Sequence, residues 1–119
     1  MKGWVSSMAK QRSRIDFDTV LEIARSMPDV QDSVSPRGIG LKTRGKLFAC
    51  TATHKSAEPD SLMVRMDLEE RELALATEPE TYYLTDHYRG YPAILVRLSK
   101  INRTALRRLL KDAVKFVSA

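Results

Sequence analysis

Leu106, Leu109, Leu110, Ala113, Val114 and Val117 recur at steps of three and four, so a helix at the end of the chain gathers them into one apolar stripe. Arg107, Arg108, Lys111 and Lys115 fall on the opposite side. A helix of this kind draws most of its stability from covering its stripe, and another element must provide the cover. The residues before it must therefore build an apolar surface, and much of that stretch alternates as strands do.

In 61-SLMVRM-66, Leu62, Val64 and Met66 share one side while Met63 and Arg65 take the other. In the same way 93–98 places Ile94, Val96 and Leu98 together with Arg97 opposite. The Gly- and Pro-punctuated segment after Asp32 predicts strands over 33–35, 39–42 and 47–51, with a hairpin turn at Arg44-Gly45. A further short strand is expected over 82–84. Two more helices complete the set. Asp16 stands as an N-cap before the stripe Phe17, Val20, Leu21, Ala24 and Met27, which Pro28 stops. Asp67 with Glu70 opens a second helix, 68–77, that ends before Pro79. The pattern predicts an α+β two-layer sandwich in the order α-β-β-β-α-β-α. Its sheet is mostly antiparallel, with helices packed on one face.

A chain of 119 residues fits one domain, here 16–119 behind a basic N-terminal tail, 1–15, that includes Trp4. No apolar run approaches the ~18 residues needed to span a bilayer, and the tail lacks the apolar stretch of a secretory signal. Cys50 is the single cysteine and can form no internal disulfide. A soluble, cytoplasmic protein that makes no membrane contact is expected.

Signatures of catalysis are weak. Gly40 and Gly45-Lys46 have the spacing of a phosphate-binding loop. Leu47 stands where the magnesium-holding hydroxyl belongs, and a strand follows where a helix is needed. His54, His87 and Cys50 lack metal-ligand spacing, and Cys50 sits in an apolar strand that would keep its thiol inert. Glu69, Glu70, Glu72, Glu78 and Glu80 read as a helix start and a solvated face. The expectation is a non-enzymatic chain with no cofactor and no metal.

The net charge of +5 is unevenly spread. Basic residues crowd the tail, the segment 36–57 and the last helix, whereas most carboxylates lie between Glu58 and Asp86. Clustered cations suit a polyanion. Strand alternation puts Arg65, Arg97 and Lys42 on a sheet face free of helices, as an anion-facing platform. The turn in 85-TDHYRGYPAILVRL-98 adds aromatic rings beside cations. Candidate nucleic-acid contacts are Arg37, Lys42, Lys46, Arg65, His87, Tyr88, Arg89, Tyr91 and Arg97, with DNA the expected ligand. Two alternatives use the same turn. One is a protein-interaction module that adds the acidic helix. The other is a small-molecule or anion site beside His87 and Arg89.

The chain also resembles the MmcQ/YjbR family of small bacterial proteins. The resemblance rests on Met27-Pro28, Gly45-Lys46-Leu47-Phe48-Ala49, the acidic helix from Asp67 to Thr77, Tyr82-Tyr83 through Leu98, and the final amphipathic helix. Many members carry a tryptophan near the place of Tyr91-Pro92. The resemblance implies a frataxin-like α+β sandwich, also compared to a "double wing" DNA-binding domain. It brings no agreed catalytic residues.

Overall fold

The computed structural model describes residues 15–119, and the basic tail up to residue 14 lies outside the described residues. Helix α1, Phe17–Arg25, starts where Asp16 caps it. The Asp16 carboxylate accepts the Thr19 amide proton at 2.9 Å, and the Thr19 hydroxyl closes the reciprocal half of a capping box. Val20, Leu21, Ile23 and Ala24 form its buried stripe, and Ile15 just before it is buried as well.

Four strands follow: β1 Val30–Ser35, β2 Gly38–Thr43, β3 Lys46–Thr51 and β4 Ser61–Arg65. The β2–β3 turn is Arg44-Gly45, with φ of 50° and 79°. Positive φ at both central residues matches the right-handed twist of the flanking strands. A bulge between Leu41 and Lys42 turns both Phe48 and Ala49 into the core. Helix α2 is Leu68–Thr77 and strand β5 is Tyr82–Tyr83. The single helical turn α3 is Asp86–Arg89, β6 is Ala93–Arg97, a 3-10 turn covers Leu98–Lys100, and α4 is Arg103–Ser118.

All strand pairs are antiparallel, in the order β1-β2-β3-β4-β6-β5. The α+β expectation is met: the strands expected in 61–66 and 82–84 form as β4 and the two-residue β5, so that one six-stranded sheet holds two strands more than the order α-β-β-β-α-β-α counts. Helix α4 lies over β3 and β4, and α1 lies over β1 beside α4. Glu22 of α1 forms a salt bridge to Arg103 of α4. The main core contains Leu41, Phe48, Leu62, Val64, Ile94 and Val96 from the sheet, with Leu106, Leu109, Leu110 and Ala113 from α4. The apolar stripe of α4 thus meets the strand positions that alternate toward it.

The other sheet face is partly covered too. Met63, Ala93 and Leu95 project from it, and Tyr88 of α3 closes over them with Leu84, Ala52 and Ala57 packed around. The alternation that puts apolar residues toward the helices also puts these three on the far side, where the α3 turn and the loop of residues 52–60 bury them. Among the described residues, the β1–β2 half of this face, with Gln31, Ser33 and Lys42, stays exposed.

Candidate nucleic-acid interface

Both histidines of the chain meet on this second face. The loop after β3 brings His54 to the α3 turn, where its ring stacks on His87 with centroids 3.6 Å apart and planes within 6°. Tyr88 meets both rings edge-on. Its hydroxyl accepts the His54 backbone N–H at 3.1 Å, which pins the loop to the second core. The Ser56 amide donates to His54 Nδ1 at 3.1 Å, and the Ser56 hydroxyl lies 2.8 Å from that nitrogen and 2.8 Å from the Thr85 hydroxyl. An Nδ1 that accepts an amide proton cannot carry one of its own, so this arrangement favours neutral His54. Desolvation first, then the neighbouring His87 and Lys55, lower the tendency of His54 to protonate.

Tyr91 follows the turn, 55% exposed, with its ring tilted 54° and its centroid 6.3 Å from that of His87. Arg89 is exposed beside it and reaches Asp86 only at 3.8 Å. On the other side of the stack lies a shallow depression of about 800 Å³ bordered by Arg37, Thr51, Thr53, His54, Lys55 and Asp60. Among the described residues, Arg37, Lys42 and Lys55 form no salt bridge. Exposed rings with cations on both flanks therefore run across one end of the second face.

The predicted residues divide into groups. His87, Tyr88, Arg89 and Tyr91 come together, although Tyr88 is buried and offers no free ring face. Arg37 borders the depression, and Lys42 stands exposed on the same face, paired in register with Leu47. Lys46 lies on the helix side, where its ammonium donates to the Val117 carbonyl at 3.1 Å. Arg65 sits at the far end of β4 and donates to the Pro92 carbonyl, its guanidinium 5.8 Å from the Phe116 ring. Arg97 does project to the second face, yet its fork binds both oxygens of Glu58 at 2.9 and 2.8 Å. Another of its nitrogens donates to the Pro79 and Glu80 carbonyls, and the guanidinium stacks 4.3 Å from the Tyr83 ring. The platform of Arg65, Arg97 and Lys42 is thus one exposed lysine and two arginines already engaged within the protein.

Sequence reasoning weighed His54 only as a metal ligand and counted Lys55 only within the basic segment 36–57, and it passed over Ser56 and Arg71. Arg71 is buried, and one nitrogen donates to the carbonyls of Arg89, Tyr91 and Ala93 at 3.3, 2.7 and 3.2 Å. This arginine fixes the backbone that carries Tyr91. Cys50 lies in β3, where burial raises its thiol above the ordinary value. Among the described residues, no three of His, Cys, Asp and Glu converge as metal ligands, and no helix is long and apolar enough to cross a membrane.

No protein-family model matches the chain. Over 65 residues, 51% of its length, it is 42% identical to proteins of Mycobacterium bovis and Mycobacterium tuberculosis, each described as uncharacterized. The chain spans about half the length of the curated relatives it matches, 50% of each. Its fold is similar to the crystal structure of the Deinococcus radiodurans protein DR2400, described as a DUF419 domain. That comparison has a TM-score of 0.68 at 17% identity and covers 88% of this chain and 80% of that one.

Proposed function

We propose that the chain is a non-enzymatic nucleic-acid-binding domain whose contact surface is the aromatic stack and its flanking cations, in place of a bare cationic sheet face. One observation carries the reading: exposed His87 and Tyr91 adjoin Arg89 in the turn, and His54, stacked on His87, borders the depression that Arg37 and Lys55 also line. Arg37 and Lys55, which make no internal salt bridge, and Arg89, whose contact with Asp86 is long at 3.8 Å, are available to phosphates, and rings with an open face are available to bases. The likeness to the MmcQ/YjbR family, whose members are often labelled DNA-binding, supports the same reading. It does so at the level of fold analogy.

The test is fluorescence anisotropy of a labelled DNA oligonucleotide with the full chain at low salt. Binding should weaken with added salt, by a slope of roughly 0.7 to 0.9 in log K per phosphate contact. Arg37→Ala and Lys55→Ala should each shallow that slope. Absence of binding to DNA and RNA at low salt would end the reading.

A second reading has its own observation. Helix α2 leaves Leu68 52% and Leu73 64% exposed beside Glu69, Glu70 and Glu72. A groove of about 650 Å³ separates it from α4, with Leu73, Ala74, Tyr82 and Leu109 among its walls. Apolar side chains within an acidic surround suit a protein partner. Leu73→Asp should abolish a nuclease-resistant stoichiometric complex if this surface is the one used.

A further inference from the structure

Resting on the nucleic-acid reading, we infer that the ligand of this surface is a single strand whose unpaired bases stack on His87 and Tyr91. The two histidine rings are parallel within 6° at 3.6 Å, close to the ~3.4 Å repeat of stacked bases. A base laid on exposed His87 would continue a stack that the protein has already begun. Tyr91, tilted 54° to His87, offers a second ring in a different plane. Rings held at an angle suit a flexible strand whose successive bases can each turn to meet them. In a duplex, base faces are covered by their neighbours and only edges and phosphates are offered, so the same rings would have nothing to stack on.

The charges on this face point the same way. A duplex presents a dense double row of phosphates, about one charge per 1.7 Å of axis, and rewards a broad cationic surface. Here Arg97 is held by Glu58 and Arg65 is turned to the Pro92 carbonyl. What remains is a sparse line of Arg37, Lys55 and Arg89, with Lys42 on the β1–β2 half, interrupted by Asp60 and Asp86. Such a line suits one phosphate chain, and the depression beside His54 gives that chain a track. Among the described residues, the helix on this face, α3, is only four residues long, too short to enter a groove. A denser cationic surface among the described residues, Arg107, Arg108, Lys111 and Lys115 of α4, belongs to the opposite layer. It serves as the internal competitor.

Anisotropy with the full chain, comparing a labelled oligothymidylate of about 12 nucleotides with a labelled 12-base-pair duplex, separates these outcomes. The single strand should bind at least about tenfold tighter than the duplex. Removing either ring, by His87→Ala or Tyr91→Ala, should weaken it by about tenfold, while Tyr91→Phe keeps most of the affinity. Tyr91 is exposed, so its variants should retain the wild-type melting temperature, and a melt of each variant checks this. Duplex binding equal to or tighter than single-strand binding overturns the inference and leaves the nucleic-acid reading standing. Binding lost in an Arg108→Ala/Lys111→Ala double variant but retained in both ring variants also overturns it. No binding to either probe removes the underlying reading as well.

Discussion

Arg97 forks onto Glu58 across 39 positions of chain, with nitrogen-to-oxygen distances of 2.9 and 2.8 Å. The pair joins the end of β6 to the loop that carries His54. Its mutual stabilisation raises the Arg97 pKa and lowers that of Glu58, the shared hydrogen bonds being the first cause in each case. Both partners keep some solvent contact, which screens the charge. Arg97→Ala also loses the stack on Tyr83 and the bonds to two carbonyls. It should cost about 1 to 2 kcal/mol in urea unfolding. Glu58→Gln, which keeps the size, should cost less. Nucleic-acid affinity of Arg97→Ala should fall only as far as the folded fraction does. A loss in fully folded protein would show that Arg97 makes a direct contact.

Arg71 is the stronger structural bond. Three carbonyls from the segment 89–93 converge on one of its nitrogens, while its Nε has only Glu72 at 3.8 Å. Arg71→Met fills much of the volume but strands those carbonyls, and should destabilise the fold by about 2 to 4 kcal/mol. Hydrogen exchange should quicken first around Tyr91 and Ala93. A change confined to α2 would contradict this role.

The histidine clasp should respond to pH. Folding lowers the His54 pKa below the ordinary value near 6.5, so the unfolded chain takes up a proton before the folded one does. The resulting contribution to stability is full above pH ~6.5 and is lost as pH falls toward the folded value. The Ser56 and Thr85 contacts should loosen in step. An NMR titration of the His54 ring should give a midpoint under 6.5, rising in His87→Ala. A midpoint at or above 6.5 would refute the clasp.

Two glycines should behave differently. Gly38 has φ +137°, and a methyl group there would sit 2.4 Å from the Thr51 hydroxyl, which accepts the Ile39 amide proton. Gly38→Ala should therefore cost about 2 kcal/mol or more in thermal or urea unfolding. Gly45 has φ +79° in open space, where asparagine is tolerated. Gly45→Asn should cost under about 1 kcal/mol.

The helix-facing core was legible because it obeys periods: Leu109 and Ile94 sit where steps of 3.6 and 2 place them. The caps at Asp16 and Asp67 and the Arg44-Gly45 turn are local chemistry and were equally plain. The limits of β1 and β2 came out wider than 33–35 and 39–42, because ladder pairing carries polar ends such as Gln31 and Thr43 into the sheet. Contacts between distant residues left no such mark. Nothing in the spacing of His54 and His87 announces that their rings meet, and alternation gave Arg97 its face but said nothing of Glu58. The aromatic turn was visible as composition. Its partner, the loop carrying His54, was not, because a loop follows no repeat.

The sheet ends unequally. β5 is only two residues long, whereas among the described residues β1 leaves a six-residue margin in which Val34 is 63% exposed. An unpaired margin is where a foreign strand can add, and charge near it discourages the addition. Asp32, held by Arg25 at 3.0 Å, is the only charged side chain in β1. Self-association at high concentration should therefore begin along β1, and neutralising Asp32 would remove the charge that guards it.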